Sequence, residues 1–137
     1  MSNIEHTTIG HVYIPTTSID DAVSWYEDNL GLILGDRFYD RGSLIAILKF
    51  FTNSKIAIIL VETKDQKPLN INRNDRLFPV LSIYSKDIEK SHAYMVDHGI
   101  KVTSITTQGD NEAKYFYFYD LDGNLIEIAW SIWDPNF

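Results

Sequence analysis

Glu127 sits alone in the run Leu125-Ile126-Glu127-Ile128-Ala129-Trp130, four residues past Gly123. Buried without a partner, such a carboxylate would cost several kcal/mol or take up a proton. On a strand, Leu125, Glu127 and Ala129 share one face, and Ile126, Ile128 and Trp130 share the other. The larger apolar set should meet the helices, so Glu127 is expected to face a concave cavity as an acceptor, a base or a metal ligand. The bland alternative is a solvated carboxylate at the mouth of an open cleft. His11 alternates with Ile9 and Tyr13 in "IGHVYIP". A lone strand histidine is commonly structural. If His11 meets Glu127 across a cavity, the pair could orient a polar ligand or shuttle a proton without any metal. His11 and Glu127 are therefore the catalytic candidates.

Aromatic residues supply the grip. In "KYFYFYD", Tyr115, Tyr117 and Tyr119 lie on one face, and Phe116 and Phe118 on the other. One row must be core; the other can line a cup with rings and hydroxyls. Tyr13, Tyr115, Tyr117 and Trp130 are the ligand-binding candidates, and Trp25 and Trp133 add aromatic surface for a flat organic ligand. His92 and His98 fall on a helix and its end and read as structural, while His6 lies in an N-terminal stretch expected to be mobile. Arg37, Arg41, Arg73 and Arg76 are the available anion partners, and the sequence does not rank them.

Two helices and eight strands are expected to position these groups. "IGHVYIP" reads as a strand. Ile19, Ala22, Val23, Tyr26 and Leu30 then fall on one helical face, with Ser18 as N-cap and Gly31 as the stop. "LILGDRFYD", "LIAILKFF" and "KIAIILVET" read as strands. A polar stretch, Lys64 to Leu77, follows as a connector or a cover. The pattern then restarts: strand "PVLSIYS", helix "DIEKSHAYMVDHG" with Ile88, His92, Met95 and Val96 inward, and strands "KVTSITTQ", "KYFYFYD" and "LIEIAW". Laid over each other, the halves put Ser18 on Asp87, Ile19 on Ile88, Asp20 on Glu89 and Trp25 on Tyr94. The expectation is α+β: one domain, 1–137, of two βαβββ modules at about 9–63 and 78–133, joined by a connector at about 64–77. Their leftover sheet faces would enclose a concave cup.

Composition bounds the function. The chain of 137 residues is 45% hydrophobic and carries a net charge of −7, with no basic stripe. Nucleic acid and anionic membrane surfaces are disfavoured as partners. Cysteine is absent, which removes disulfides, thiolate metal sites and cysteine nucleophiles. With no apolar leader, a cytoplasmic location is expected. Phosphate loops, Gly-x-Ser-x-Gly elbows and His-Glu-x-x-His helices are missing.

"GHVYIPTTSIDDAVSWYEDNLGL" and "YFYFYDLDGNLIEIAW" together resemble the vicinal oxygen chelate superfamily, from about Ile9 to Trp130. That group holds glyoxalase I, bleomycin-resistance and fosfomycin-resistance proteins and extradiol dioxygenases. Its closing pattern "DPDGN-x-x-E" is Asp120 to Glu127 here, with Leu121 in place of proline. The resemblance implies a divalent metal, zinc, nickel, manganese or iron, held by the first and last strands of each module. His11 and Glu127 fill two of those positions. His11 stands seven residues before Ser18; seven before Asp87 is Val80, and the remaining position aligns with Ile59, with Glu62 as a nearby candidate ligand. Two readings follow. In one, a small-molecule-binding protein, a homodimer with a degenerate metal site, takes an apolar or aromatic compound. In the other, a metal-dependent lyase, isomerase, thiol transferase or dioxygenase uses His11 and Glu127.

Overall fold

The computed structural model describes residue 5 and residues 8–65 and 67–134, so His6 lies outside the described residues. The chain divides into two compact units, one ending at Asp65 and one following it. The first unit runs β1 (His11–Thr16), α1 (Ile19–Leu30), β2 (Ile33–Asp40), β3 (Ser43–Lys49) and β4 (Ala57–Glu62). The second runs β5 (Ile71–Arg73), β6 (Arg76–Phe78), β7 (Leu81–Tyr84), α2 (Ile88–Asp97), β8 (Thr106–Gln108), β9 (Ala113–Tyr119) and β10 (Leu125–Ser131). The sheets have the same plan, β1-β4-β3-β2 and β7-β10-β9-β8. In each, the first strand pairs parallel with the last and the rest are antiparallel. A parallel partner requires a crossover, which each helix begins. The expected pair of βαβββ modules is present.

Helix α1 begins where the sequence signals it. The Ser18 hydroxyl accepts the Asp21 N–H, and Gly31 closes the helix at φ 67°. Ile19, Ala22, Val23 and Tyr26 are buried. On α2, Asp87 caps Lys90, and Ile88 and Met95 are buried, but Val96, expected inward, is 51% exposed. Each residue turns the helix by about 100°, so Val96 falls on the flank beside Met95.

Two segments differ from their sequence pattern. The strand expected over "KVTSITTQ" shortens to β8, with an isolated bridge between Val102 and Phe118. Thr103 Oγ1 takes the Tyr117 N–H at 2.9 Å, so a side chain replaces part of the ladder there. The polar connector is partly ordered as the β5–β6 hairpin. Asn74 and Asp75 at its tip both have positive φ, 49° and 64°, as a two-residue hairpin turn demands.

The "DLDGN" turn before β10 is built from its own polar side chains. Asp120 is buried; its Oδ1 accepts the N–H groups of Asp122 and Asn124, each at 2.9 Å, and its Oδ2 accepts Asn124 Nδ2 at 2.8 Å. Gly123 takes φ 82°. Asn124 Oδ1 then accepts the Leu69 N–H at 2.7 Å, which ties the connector to the turn. Among the described residues no helix is long and apolar enough to cross a membrane.

Candidate functional site

The two faces of the second unit's sheet are told apart by their contacts. Phe116 packs edge-on against His92 of α2 at 4.9 Å, and Lys114 reaches Glu89 of α2 at 2.6 Å. Register and alternation put Ile126, Ile128 and Phe118 on that helix side too. The opposite face carries Glu127, Ala129, Tyr115, Tyr117 and Tyr119 from β9 and β10. From β7 it carries Ser82 and Tyr84.

Three strands therefore set Ser82, Glu127 and Tyr117 in one row across the sheet. The Ser82 hydroxyl donates to Glu127 Oε1 at 2.7 Å. The next row reads Tyr84, Ala129, Tyr115 and Thr106, with the small residue between two tyrosines. Tyr115 and Tyr117 stack, their ring centroids 5.6 Å apart. The β5–β6 hairpin adds Phe78, edge-on to Tyr117 at 6.3 Å, and Arg73, whose guanidinium lies 4.9 Å over the Phe78 ring. Burial pushes the Tyr117 phenol above its ordinary pKa. The negative charge of Glu127 adds to this, then that of Tyr115, while Arg73 opposes them. Tyr117 thus stays a hydroxyl donor at neutral pH.

In the first unit the helix side is marked by Arg37 paired to Asp20 of α1 at 2.7 Å, and by Glu62 Oε2 accepting the Ile19 N–H at 3.0 Å. Glu62 pairs in register with Thr16, so it shares the face of Ile14 and Thr16. His11 and Tyr13 occupy the other face, with Ala57 and Ile59 as their partners on β4. His11 Nε2 lies 2.9 Å from the Tyr13 hydroxyl, and both residues are exposed.

The structure thus brings together Glu127, Tyr115 and Tyr117 on one face, and His11 and Tyr13 on another. It puts Glu62 on the face opposite His11. Trp130 pairs with Lys114 on the helix side, away from Glu127. Among the described residues no group of three or more His, Asp or Glu side chains is placed to hold a metal ion. His92 Nε2 is 2.8 Å from the Thr103 carbonyl, and His98 Nδ1 is 2.8 Å from that of Tyr94, which are structural positions for both rings. Arg37 and Arg41 have carboxylate partners, at 2.7 and 3.7 Å, whereas Arg73 lies over the Phe78 ring and among the described residues has no carboxylate partner. Ser82 and Ala129 were not foreseen as site residues. The alternation in "LSIY" already puts Ser82 and Tyr84 on one face, but which neighbours they meet depends on the pairing with β10.

Comparison with known proteins gives a consistent picture. The model of the Glyoxalase/Bleomycin resistance protein/Dioxygenase superfamily matches residues 8–128. Among proteins with curated descriptions, none matches this chain. A glyoxalase family protein from Enterococcus faecalis superposes with a TM-score of 0.71 at 19% identity, over 90% of this chain and 97% of its own. TnmS3, an antibiotic binding protein from a Streptomyces species, gives 0.70 at 16% identity, over 93% and 97%. The fosfomycin resistance protein FosX from Listeria monocytogenes, complexed with Mn(II) and sulfate, gives 0.66 at 13% identity, over 94% and 96%. At these identities the likeness is one of fold.

Proposed function

Since the chain belongs to the Glyoxalase/Bleomycin resistance protein/Dioxygenase superfamily, we propose that it is a cytoplasmic, homodimeric small-molecule-binding member that works without a metal. The observation that carries this reading is the row Ser82–Glu127–Tyr117, next to Ala129 with a tyrosine on either side. It supplies a hydrogen-bonded acceptor, a phenol donor and ring surface, which suits a polar aromatic or apolar compound. The antibiotic-binding role of the Streptomyces neighbour is work of the same kind.

The residues do not fit a divalent metal of the family type. Of the four positions implied for ligands, two hold the aliphatic Ile59 and Val80. Glu62 faces the helix side and caps α1, and Glu127 already accepts from Ser82. A catalytic zinc site takes three protein ligands and an open position. His11 and Glu127 alone fall short of that.

Equilibrium dialysis of untagged protein against Ni²⁺, Zn²⁺, Mn²⁺ and Fe²⁺ tests this directly. The expected result is no stoichiometric metal, with His11→Ala and Glu127→Ala indistinguishable from the parent. Native mass spectrometry of protein purified from its own cell should show a small organic molecule that survives EDTA. Stoichiometric metal lost in both variants would establish instead the metal-dependent lyase, isomerase or thiol transferase.

A further inference from the structure

We propose that the open face of the second unit selects a planar aromatic ligand carrying a protonated amine, with Glu127 as the acceptor and the Tyr84–Ala129–Tyr115 row as the seat of the ring. This rests on the small-molecule reading above and names the ligand class for the same site. Three observations converge on it.

Ala129 lies between Tyr84 on β7 and Tyr115 on β9, in register with both. Two strand spacings separate those tyrosines by about 9.5 Å at the backbone. That is twice a ring-to-ring distance of ~4.7 Å, within the range aromatic pairs prefer. A larger residue at position 129 would take up space between them; alanine puts only a methyl group there.

Glu127 is two residues along the same strand, about 7 Å from Ala129. Ser82 fixes Oε1 at 2.7 Å, and Oε2 has no partner among the described residues. One oxygen is therefore oriented by the protein and the other is left for a donor. A charge-assisted hydrogen bond from a ligand ammonium is the strong way to satisfy it.

The charges around the face favour a cation. Glu127 lies at its centre, with the Tyr115 and Tyr117 rings beside it. The cations on the neighbouring segments are Arg73, already stacked on Phe78, its cross-strand partner Arg76 on the β5–β6 hairpin, and Lys101, 5.3 Å from the centre of the Tyr119 ring. The pull of Glu127 on the Tyr117 phenol outweighs the opposing one of Arg73. The net charge of −7 adds a long-range attraction for cations.

The test uses three flat fluorescent probes of similar size: proflavine (cationic), acridone (neutral) and anthracene carboxylate (anionic), titrated into the full-length protein at neutral pH and low salt. Proflavine should bind about 10-fold tighter than either of the others. Glu127→Gln, which keeps the shape and an acceptor oxygen, should remove that margin and leave acridone unchanged. Ala129→Leu should weaken all three. Ser82→Ala should keep the proflavine preference, and an unchanged Tm of each variant shows that it folds. Equal binding of proflavine and acridone, with Glu127→Gln silent, overturns the charge selection while small-molecule binding stands. Preference for anthracene carboxylate, lost in Arg73→Ala, overturns it in favour of an anionic ligand. If no probe binds, the ligand class is overturned; if protein from its own cell also carries no small molecule, the small-molecule reading falls with it.

Discussion

Tyr117 is held protonated by its surroundings: burial first, then the carboxylate facing it on β10. A phenol whose folded-state pKa is raised above its unfolded value, near ~10, adds stability that is fully present below that unfolded value. The contribution disappears as the pH rises through the folded value. Urea melts of the parent should therefore lose stability above about pH 10, and Tyr117→Phe should lose less over the same window. Asp120 is the second residue to test. Its buried carboxylate accepts three hydrogen bonds within one turn, so Asp120→Ala should cost about 2–4 kcal/mol. Chemical denaturation measures this, and a loss under ~0.5 kcal/mol would mean that the turn is held by other groups. Glu127, Tyr115 and Tyr117 could be placed on one face from alternation alone, because a strand's period is local. Ser82 could not be joined to Glu127 that way, since its partner lies far along the chain and only the register of the parallel pair brings them together.

At the scale of elements, α1 depends on two acceptors at its start. Ser18 serves the Asp21 N–H, and Glu62, from the end of β4, serves the Ile19 N–H. Both satisfy orphan donors, and the carboxylate also meets the positive end of the helix. Ser18→Ala and Glu62→Ala should each cost about 1 kcal/mol. Because both act on the same helix start, the double variant should depart from additivity. The cost of Glu62→Ala should be the same with and without added Zn²⁺, as a capping residue requires and a metal ligand does not. The helices were legible because caps, stops and a buried stripe coincide within a dozen residues. The β5–β6 hairpin and the shortened β8 were not. Asn74 and Asp75 adopt positive φ without a glycine to announce it, and the Thr103 side chain takes over a ladder bond that a strand pattern assigns to backbone.

Across the whole molecule, the duplicated plan was readable because the two halves repeat the same caps and the same order of elements. The chemistry was less readable, because repetition of a scaffold need not preserve its ligands: in the proposed reading, Ile59 and Val80 fall where the resemblance puts ligands. Thermal melts should therefore be unmoved by EDTA or by micromolar Zn²⁺, Ni²⁺ or Mn²⁺, since a metal bound to the native state raises Tm by mass action. A rise of several degrees would show a native-state metal site.

The parallel pairing of first and last strands also sets an order of events on the ribosome. In the second unit, β10 lies between β7 and β9 and bonds to both. Until Ser131 has cleared the exit tunnel, β7 has no strand in its sheet to join, and Phe116 and Phe118 of β9 lack their cross-strand partners Ile128 and Ile126. A nascent chain with β10 still inside the tunnel would carry unpaired edges of the kind that recruit chaperones, and emergence of the dozen residues after Tyr119 would remove them together.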